Sequence, residues 1–165
     1  MGDGVAREAD EITVALATMV TDEVRSLIGA LDRELSAEYA PEQRHGLALA
    51  AIFQPHIRFF LARHGEAAVG CGGVALFQGF AEVKRMYVRD EARGRGVAQA
   101  LLARLEAEAL GAGLAVLRLE TGVRQPAALR LYAAAGFRPC AAFGDYAAMA
   151  PEAIATSVFM EKQLI

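Results

Sequence analysis

Little in this chain favours a membrane, a nucleic acid or a redox partner. Lys and Arg number 17 against 20 Asp and Glu, for a formal net charge of -3, so there is no basic excess to hold a phosphate backbone. No apolar run is long enough to span a bilayer. The opening residues carry Asp3, Glu8, Asp10 and Glu11 in place of a basic region followed by an apolar run, so no secretory signal is expected there. Only two cysteines occur, Cys71 and Cys140. Their spacing suits neither a metal site nor a disulfide framework, and the expectation is two reduced thiols in a cytoplasmic protein without a metal. Internal repeats, linkers and low-complexity tracts are also missing. Two familiar phosphate loops are excluded: Gln99 stands where the dinucleotide fingerprint G-x-G-x-x-G needs its last glycine, and no Walker A string exists.

What is present is the composition of a folded domain. Hydrophobic residues make up 55% and charged residues 22% of 165 positions, enough for a sizeable core in one domain spanning 1–165, with 1–10 as a loose start. Ile12, Val14 and Leu16 alternate as a first strand. Thr21 can cap a helix whose stripe is Val24, Leu27, Ile28, Leu31 and Leu35. Pro41 is placed to open a second helix ending by Pro55. Ile57, Phe59 and Leu61 mark a second strand, His64-Gly65-Glu66 a hairpin turn, and Ala68 to Phe77 a third strand. Gly70, Gly72 and Gly73 suggest a bulge or close backbone approach in that strand. Strands are also expected from Leu114 toward Glu120 and Thr121, over Phe137 to Phe143, and over Thr156 to Lys162, with a helix from Pro126 to Gly136. The order is β-α-α-β-β-β-α-β-α-β-β, a mixed α/β sheet with helices on its faces.

The stretch around Glu82 to Gln99 organises the rest. Val83, Met86, Tyr87 and Val88 have strand character, and Arg93-Gly94-Arg95-Gly96-Val97-Ala98 then leads into Leu101, Leu102, Leu105 and Ala109 at helical spacing. The first N–H groups of a helix lack internal partners, and its dipole adds roughly half a positive charge there. Gly94 and Gly96 carry no Cβ to hold a phosphate away. Lys84, Arg85, Arg89, Arg93 and Arg95 crowd positive charge into the same stretch. The spacing thus points to an anion site.

The string R-x-x-G-x-A, after a strand ending Met-Tyr-Val, resembles the acetyl-CoA pyrophosphate loop of the GNAT superfamily of N-acetyltransferases. A second segment, Gln125-Pro126 through Ala128-Leu129-Arg130-Leu131-Tyr132 to Gly136-Phe137, is similar to the family's N-x-x-A-x-x-L-Y-x-x-x-G-F, with Gln125 where Asn is common. The resemblance implies a mixed sheet of about seven strands flanked by about four helices, and acetyl-CoA as cosubstrate. Met86, Tyr87 and Val88 would meet the acetyl-pantetheine arm, Arg93, Gly94, Arg95, Gly96, Val97, Ala98 and Gln99 the pyrophosphate, and Gln125 the pantetheine.

By the same resemblance Tyr132 is the general acid, since a phenol with a reference pKa near ~10 is protonated at neutral pH and can serve a departing thiolate. Glu120 and Glu82 are both candidates for the base. Tyr39, His45, Phe143, Asp145 and Tyr146 are placed to select the acceptor, with Asp145 suited to a cationic amine. The implied function is transfer of acetyl to a primary amine of a small molecule or amino acid. Acetylation of a protein N-terminus or lysine, and a non-catalytic acyl-CoA-binding module, stay open beside it. Homodimerisation is common among such folds.

Overall fold

A computed structural model describes residues 11–165; the expected loose start at 1–10 lies outside the described residues. Seven strands form one sheet in the order β1-β2-β3-β4-β5-β7-β6. They are β1 (Ile12–Ala17), β2 (Ile57–His64), β3 (Ala67–Leu76), β4 (Ala81–Val88), β5 (Val116–Gly122), β6 (Arg138–Pro139) and β7 (Ser157–Gln163). The helices are α1 (Asp22–Glu38), α2 (Val97–Gly111), α3 (Pro126–Ala134) and α4 (Pro151–Ile154). The strand and helix totals match the expectation, but one helix does not. Residues 41–55 hold only short 3-10 turns at Pro41–Gln43 and Leu49–Ala51. A helix there would bury no continuous stripe. Instead Ile52 alone is sunk in the core, and Gly46 lies flat against Arg85.

The sixth strand is also shorter than expected. Only Arg138 and Pro139 pair with Glu161 and Met160, because Pro139 has no N–H to offer a ladder and sits at the sheet edge. The fourth helix arises in the loop expected around Gly144-Asp145-Tyr146. Elsewhere local chemistry does what its residues suggest. Thr21 accepts the Val24 N–H at 3.2 Å and starts α1. At the other end of α2, Leu114 N–H bonds Ala109 O and Gly113 N–H bonds Leu110 O, a Schellman cap made possible by Gly113 at φ 77°.

Two cores lie on opposite faces of the sheet. Leu101, Leu102 and Leu105 of α2 pack on Phe60, Val74, Val83 and Leu117, while Val24, Leu27 and Ile28 of α1 pack on Phe59, Leu61 and Cys71. Alternation of Phe59 and Phe60 to opposite faces of β2 is the two-residue period of a strand with both sides covered. Burial pushes the Cys71 thiol up to about 12, so it is an inert core group.

Two features of β3 and β4 shape the site. Gly73 pairs with Lys84 but Cys71 with Tyr87, so an extra residue sits in β4 opposite Gly72. The glycines lie at two such irregularities: this one adds its residue to the neighbouring strand, while pairing of Ala62 with Gly70 but Arg63 with Ala68 leaves Val69 as an added residue of β3 itself. Arg85 at the β4 bulge is the one non-glycine residue with positive φ among those described, at 54°. Secondly, β4 and β5 run parallel and pair only at Ala81–Leu117 and Glu82–Arg118. Beyond Glu82 the two strands part.

Close approach at Gly70 gives a test. A Cβ there would stand 3.0 Å from both the Tyr87 carbonyl and Val97 Cγ1, so Gly70→Ala should cost about 1–3 kcal/mol. Gly111, in the last turn of α2 with nothing within 4 Å of a Cβ, should instead gain about 0.4–1 kcal/mol on Gly111→Ala. Urea unfolding of the two variants against the parent checks both signs.

Candidate active site

Where β4 and β5 diverge, the backbone turn expected to hold a diphosphate opens onto a groove of about 550 Å³. Gly94 and Gly96 have φ of 77° and 85°, a left-handed geometry that side chains resist. The first α2 bond runs from Ala100 N–H to Gly96 O at 3.0 Å, so the N–H groups of Val97, Ala98 and Gln99 have no intrahelical partner. A Cβ on Gly94 would meet no atom within 4 Å. Free donors, a helix N-terminus and clear space above them fit a pyrophosphate. Met86, Tyr87 and Val88 of β4 line the same groove, as do Arg93, Gly94, Gly96, Val97, Ala98, Gln99 and Gln125. Arg95 does not; it is exposed.

The positive charges of this stretch do not converge on the loop. Arg93 is tied to Asp90 at 2.9 Å, to Glu34 and to the Val88 carbonyl. Arg89 holds Ala68 O and Ser26 Oγ. Lys84 and Arg85 turn toward a second cavity on the other side of the strand gap. Alternation along β4 and its bulge send neighbouring residues to different sites, which linear proximity hides.

Tyr132 stands between the two cavities and lines both. It is 6% exposed, and burial followed by the nearby Glu120 charge pushes its phenol upward, so the hydroxyl keeps its proton. That hydroxyl bonds no group among the described residues. The ring is fixed by the end of α3: Phe137 N–H bonds Tyr132 O and Gly136 N–H bonds Ala133 O, with Gly136 at φ 99°. Phe137 then packs edge-on against Tyr132, ring centroids 5.7 Å apart. This is a second Schellman cap with its hydrophobic contact. It explains physically why a tyrosine, a glycine and a phenylalanine recur at this spacing in one motif.

The two candidate bases occupy different electrostatic settings in the second cavity, of about 120 Å³. Glu82, 4% exposed, lies 2.9 Å from Lys84 Nζ and accepts a 2.8 Å bond from the Tyr146 hydroxyl; Lys84 in turn donates to Tyr146 at 2.9 Å. Its charge is already matched. Glu120 accepts from Ser157 Oγ at 2.7 Å and forms no ion pair among the described residues. Burial drives its carboxyl above the ordinary range, against the opposing influence of Ser157, His45 and Lys84. Glu120 lies within β5, which continues to Gly122.

Of the five residues expected to select an acceptor, three line this cavity: Tyr39, His45 and Tyr146. His45 Nε2 is 2.6 Å from Ala153 O and its ring meets Tyr146 edge-on. Phe143 instead packs with Tyr146 and Phe159 in an aromatic cluster, and Asp145 is exposed; neither lines either cavity. Sequence position did not single out Arg44, Arg85, Ser157 and Thr156. Arg44 adjoins His45, and Ser157 becomes relevant only through strand pairing with Gly122.

Tyr39 closes the wall shared by the two cavities. Its hydroxyl donates to Gln125 Oε1 at 3.3 Å and accepts the Arg124 N–H at 2.9 Å, while Gln125 Oε1 also takes the Gly122 N–H. The carbonyl of Gln125 is therefore engaged within the protein, leaving its NH2 to meet a ligand.

Two outcomes follow from these contacts. A Cβ on Gly122 would fall 1.9 Å from Tyr39 Oη and 2.3 Å from its Cζ, so Gly122→Ala should displace the tyrosine and destabilise the chain by about 1–3 kcal/mol in urea unfolding. Because the folded state raises the Glu120 pKa, it favours the protonated acid. That stability is complete below the unfolded carboxyl pKa and is lost as pH rises through the folded one. Glu120→Gln, which can still accept from Ser157, should melt higher than the parent near pH 7, with the difference closing toward about pH 4.

Comparison with known proteins meets this geometry. The Acetyltransferase (GNAT) family model matches residues 22–137. An IAA acetyltransferase of Azospirillum brasilense is 43% identical over 155 residues, 93% of this chain and 98% of that protein. A provisionally assigned acyl-CoA N-acyltransferase from Klebsiella pneumoniae shares 33% identity at a TM-score of 0.74, over 94% of this chain and 99% of its own. The PaiA N-acetyltransferase of Thermoplasma acidophilum, solved with coenzyme A, shares the fold at a TM-score of 0.68 and 16% identity, over 92% and 99% of the two chains. The motifs, the parted strands and these matches together make the chain a member of the GNAT acetyltransferase family, with acetyl-CoA as its cosubstrate.

Proposed function

We propose that this enzyme acetylates the primary amine of a small molecule or amino acid by direct attack, and that it does so in the cytoplasm. The observation carrying this is the position of Tyr132 on the boundary of a long groove and a small, polar cavity. A cavity of about 120 Å³ has room for on the order of ten water-sized positions, which suits a small acceptor.

Acetyl-CoA, when bound, supplies an acetyl thioester. The chain's own residues then have three tasks. Glu120 Oε atoms draw the proton from the incoming ammonium, directly or through a water; a carboxyl raised by burial is a better base than an exposed one. The β4 backbone beyond Glu82, unpaired with β5, can orient and polarise the acyl carbonyl. Tyr132 Oη delivers a proton to the departing sulfur. Glu82, held by Lys84 and Tyr146, sets the charge and shape of the acceptor wall and is not the base.

Thiol release with an amine panel identifies acceptors. Tyr132→Phe should lower kcat by roughly 10²–10⁴-fold while coenzyme A still raises its melting temperature as it does the parent's. Unchanged turnover in that variant would remove the acid from Tyr132. Loss of the coenzyme A effect from both proteins would remove the groove.

A further inference from the structure

The acceptor cavity contains a second unusual feature besides its carboxylates. Among the described residues, three buried side-chain atoms lack any hydrogen-bond partner: Arg44 Nε, Arg85 Nε and Thr156 Oγ1. All three residues line that same cavity. Native proteins leave few such atoms, and each carries the desolvation cost of an unmade hydrogen bond, larger where the group is charged. Their gathering around one small space is a property of that space.

Chemistry narrows what would satisfy them. A guanidinium has N–H donors and no acceptor, so whatever meets both arginines must offer lone pairs. Charge narrows it further. Arg85 has a side chain only 5% exposed and, among the described residues, pairs with Asp32, whose side chain is 57% exposed and does not line the cavity. Arg44 pairs with no carboxylate among the described residues. Lys84 is matched by Glu82 at 2.9 Å. The cavity wall built by Arg44 and Arg85 therefore holds two guanidinium groups against one carboxylate, Asp32, which does not line the cavity, while the wall at Glu120 carries a desolvated carboxylate. Both arginines line the same cavity, and the Arg85 guanidinium packs against Gly46, two residues after Arg44.

We infer that the acceptor is an amine that also carries a carboxylate, as an amino acid does, and that Arg44 and Arg85 bind this carboxylate while its amine faces Glu120. The arrangement is complementary in sign at both ends, and charge-assisted bonds from guanidinium to carboxylate are among the stronger ones available. Thr156 is placed to add a hydroxyl. The inference rests on the reading of this cavity as the acceptor site, and narrows it from amines in general to zwitterions.

The experiment compares each L-amino acid with the amine lacking its carboxylate and with its aminophosphonic counterpart, at saturating acetyl-CoA. The parent should prefer the carboxylated member by at least about tenfold in kcat/KM, and Arg44→Gln should collapse that ratio toward one, mainly through KM. Gly46→Ala is a second variant: the three atoms nearest its Cβ all belong to the Arg85 side chain, so it displaces that guanidinium and should reduce the same ratio without removing a charge. Equal use of both members by the parent, or a ratio unchanged in both variants, overturns the inference. Preference for the phosphonate overturns the carboxylate in favour of a phosphate-type anion. Binding of N-acetyl amino acids, measured by calorimetry with coenzyme A present, separates this from the catalytic reading. Binding at least about tenfold weaker in Arg44→Gln supports the inference even if no amine turns over, and equal binding refutes it.

Discussion

The early parting of two parallel strands governs everything functional in this molecule. β4 and β5 share register only at Ala81 and Glu82, and a sheet that stops pairing exposes backbone groups which must find other partners. A bulge with Arg85 in a left-handed conformation turns β4 at this point. Its consequence is a division of labour along one strand: Tyr87 and Val88 face the groove, Glu82, Lys84 and Arg85 face the second cavity, and Met86 lies between and lines both. A regular strand could not serve both. The helix that follows is N-capped by Gly96, so its free N–H donors come soon after the same strand that borders the second cavity.

Three glycine-dependent contacts hold the opposite wall. Gly122 leaves room for the Tyr39 hydroxyl, which bonds the loop connecting β5 to α3. Gly136 terminates α3 so that Phe137 folds back on Tyr132. Gly46 lets the chain after α1 lie against Arg85. Gly122 and Gly46 replace side-chain bulk with a functional group from elsewhere, a packing reason for glycine, whereas Gly136 supplies the left-handed φ that the α3 cap requires.

The fold was legible wherever a local rule and burial agreed. The Thr21 cap, the α1 stripe, the Gly94–Gly96 turn and the Pro126 start all declare themselves in a few adjacent residues. Residues 41–55 misled because an alanine- and leucine-rich run has helix propensity, yet tertiary demands on Gly46 and Ile52 override it. In the site, the placing of Tyr132 beside the groove follows from motifs, whereas the surroundings of the two glutamates do not. Glu82 differs from Glu120 through Lys84, Tyr146 and Ser157, partners separated from them in sequence except for the nearby lysine. Asp145 illustrates the converse: it adjoins Tyr146 in sequence, but the turn directs it to solvent.

The energetic costs of the structure are concentrated where its chemistry is. Arg85 carries the one positive φ of a non-glycine residue described, lacks a partner at Nε, and borders the same cavity as the desolvated Glu120 and the unbonded Tyr132 hydroxyl. The cores under α1 and α2, by contrast, are aliphatic and aromatic, with Tyr132 at the margin of the second as the group that carries an unbonded hydroxyl. A sequence under selection for stability alone would remove a strained, under-bonded cation and a buried acid, since apolar replacements of similar volume are often more stable. Their coexistence in one cavity is what a binding site for a charged molecule requires: groups poorly satisfied in isolation, arranged so that a ligand of opposite charge pattern satisfies them together.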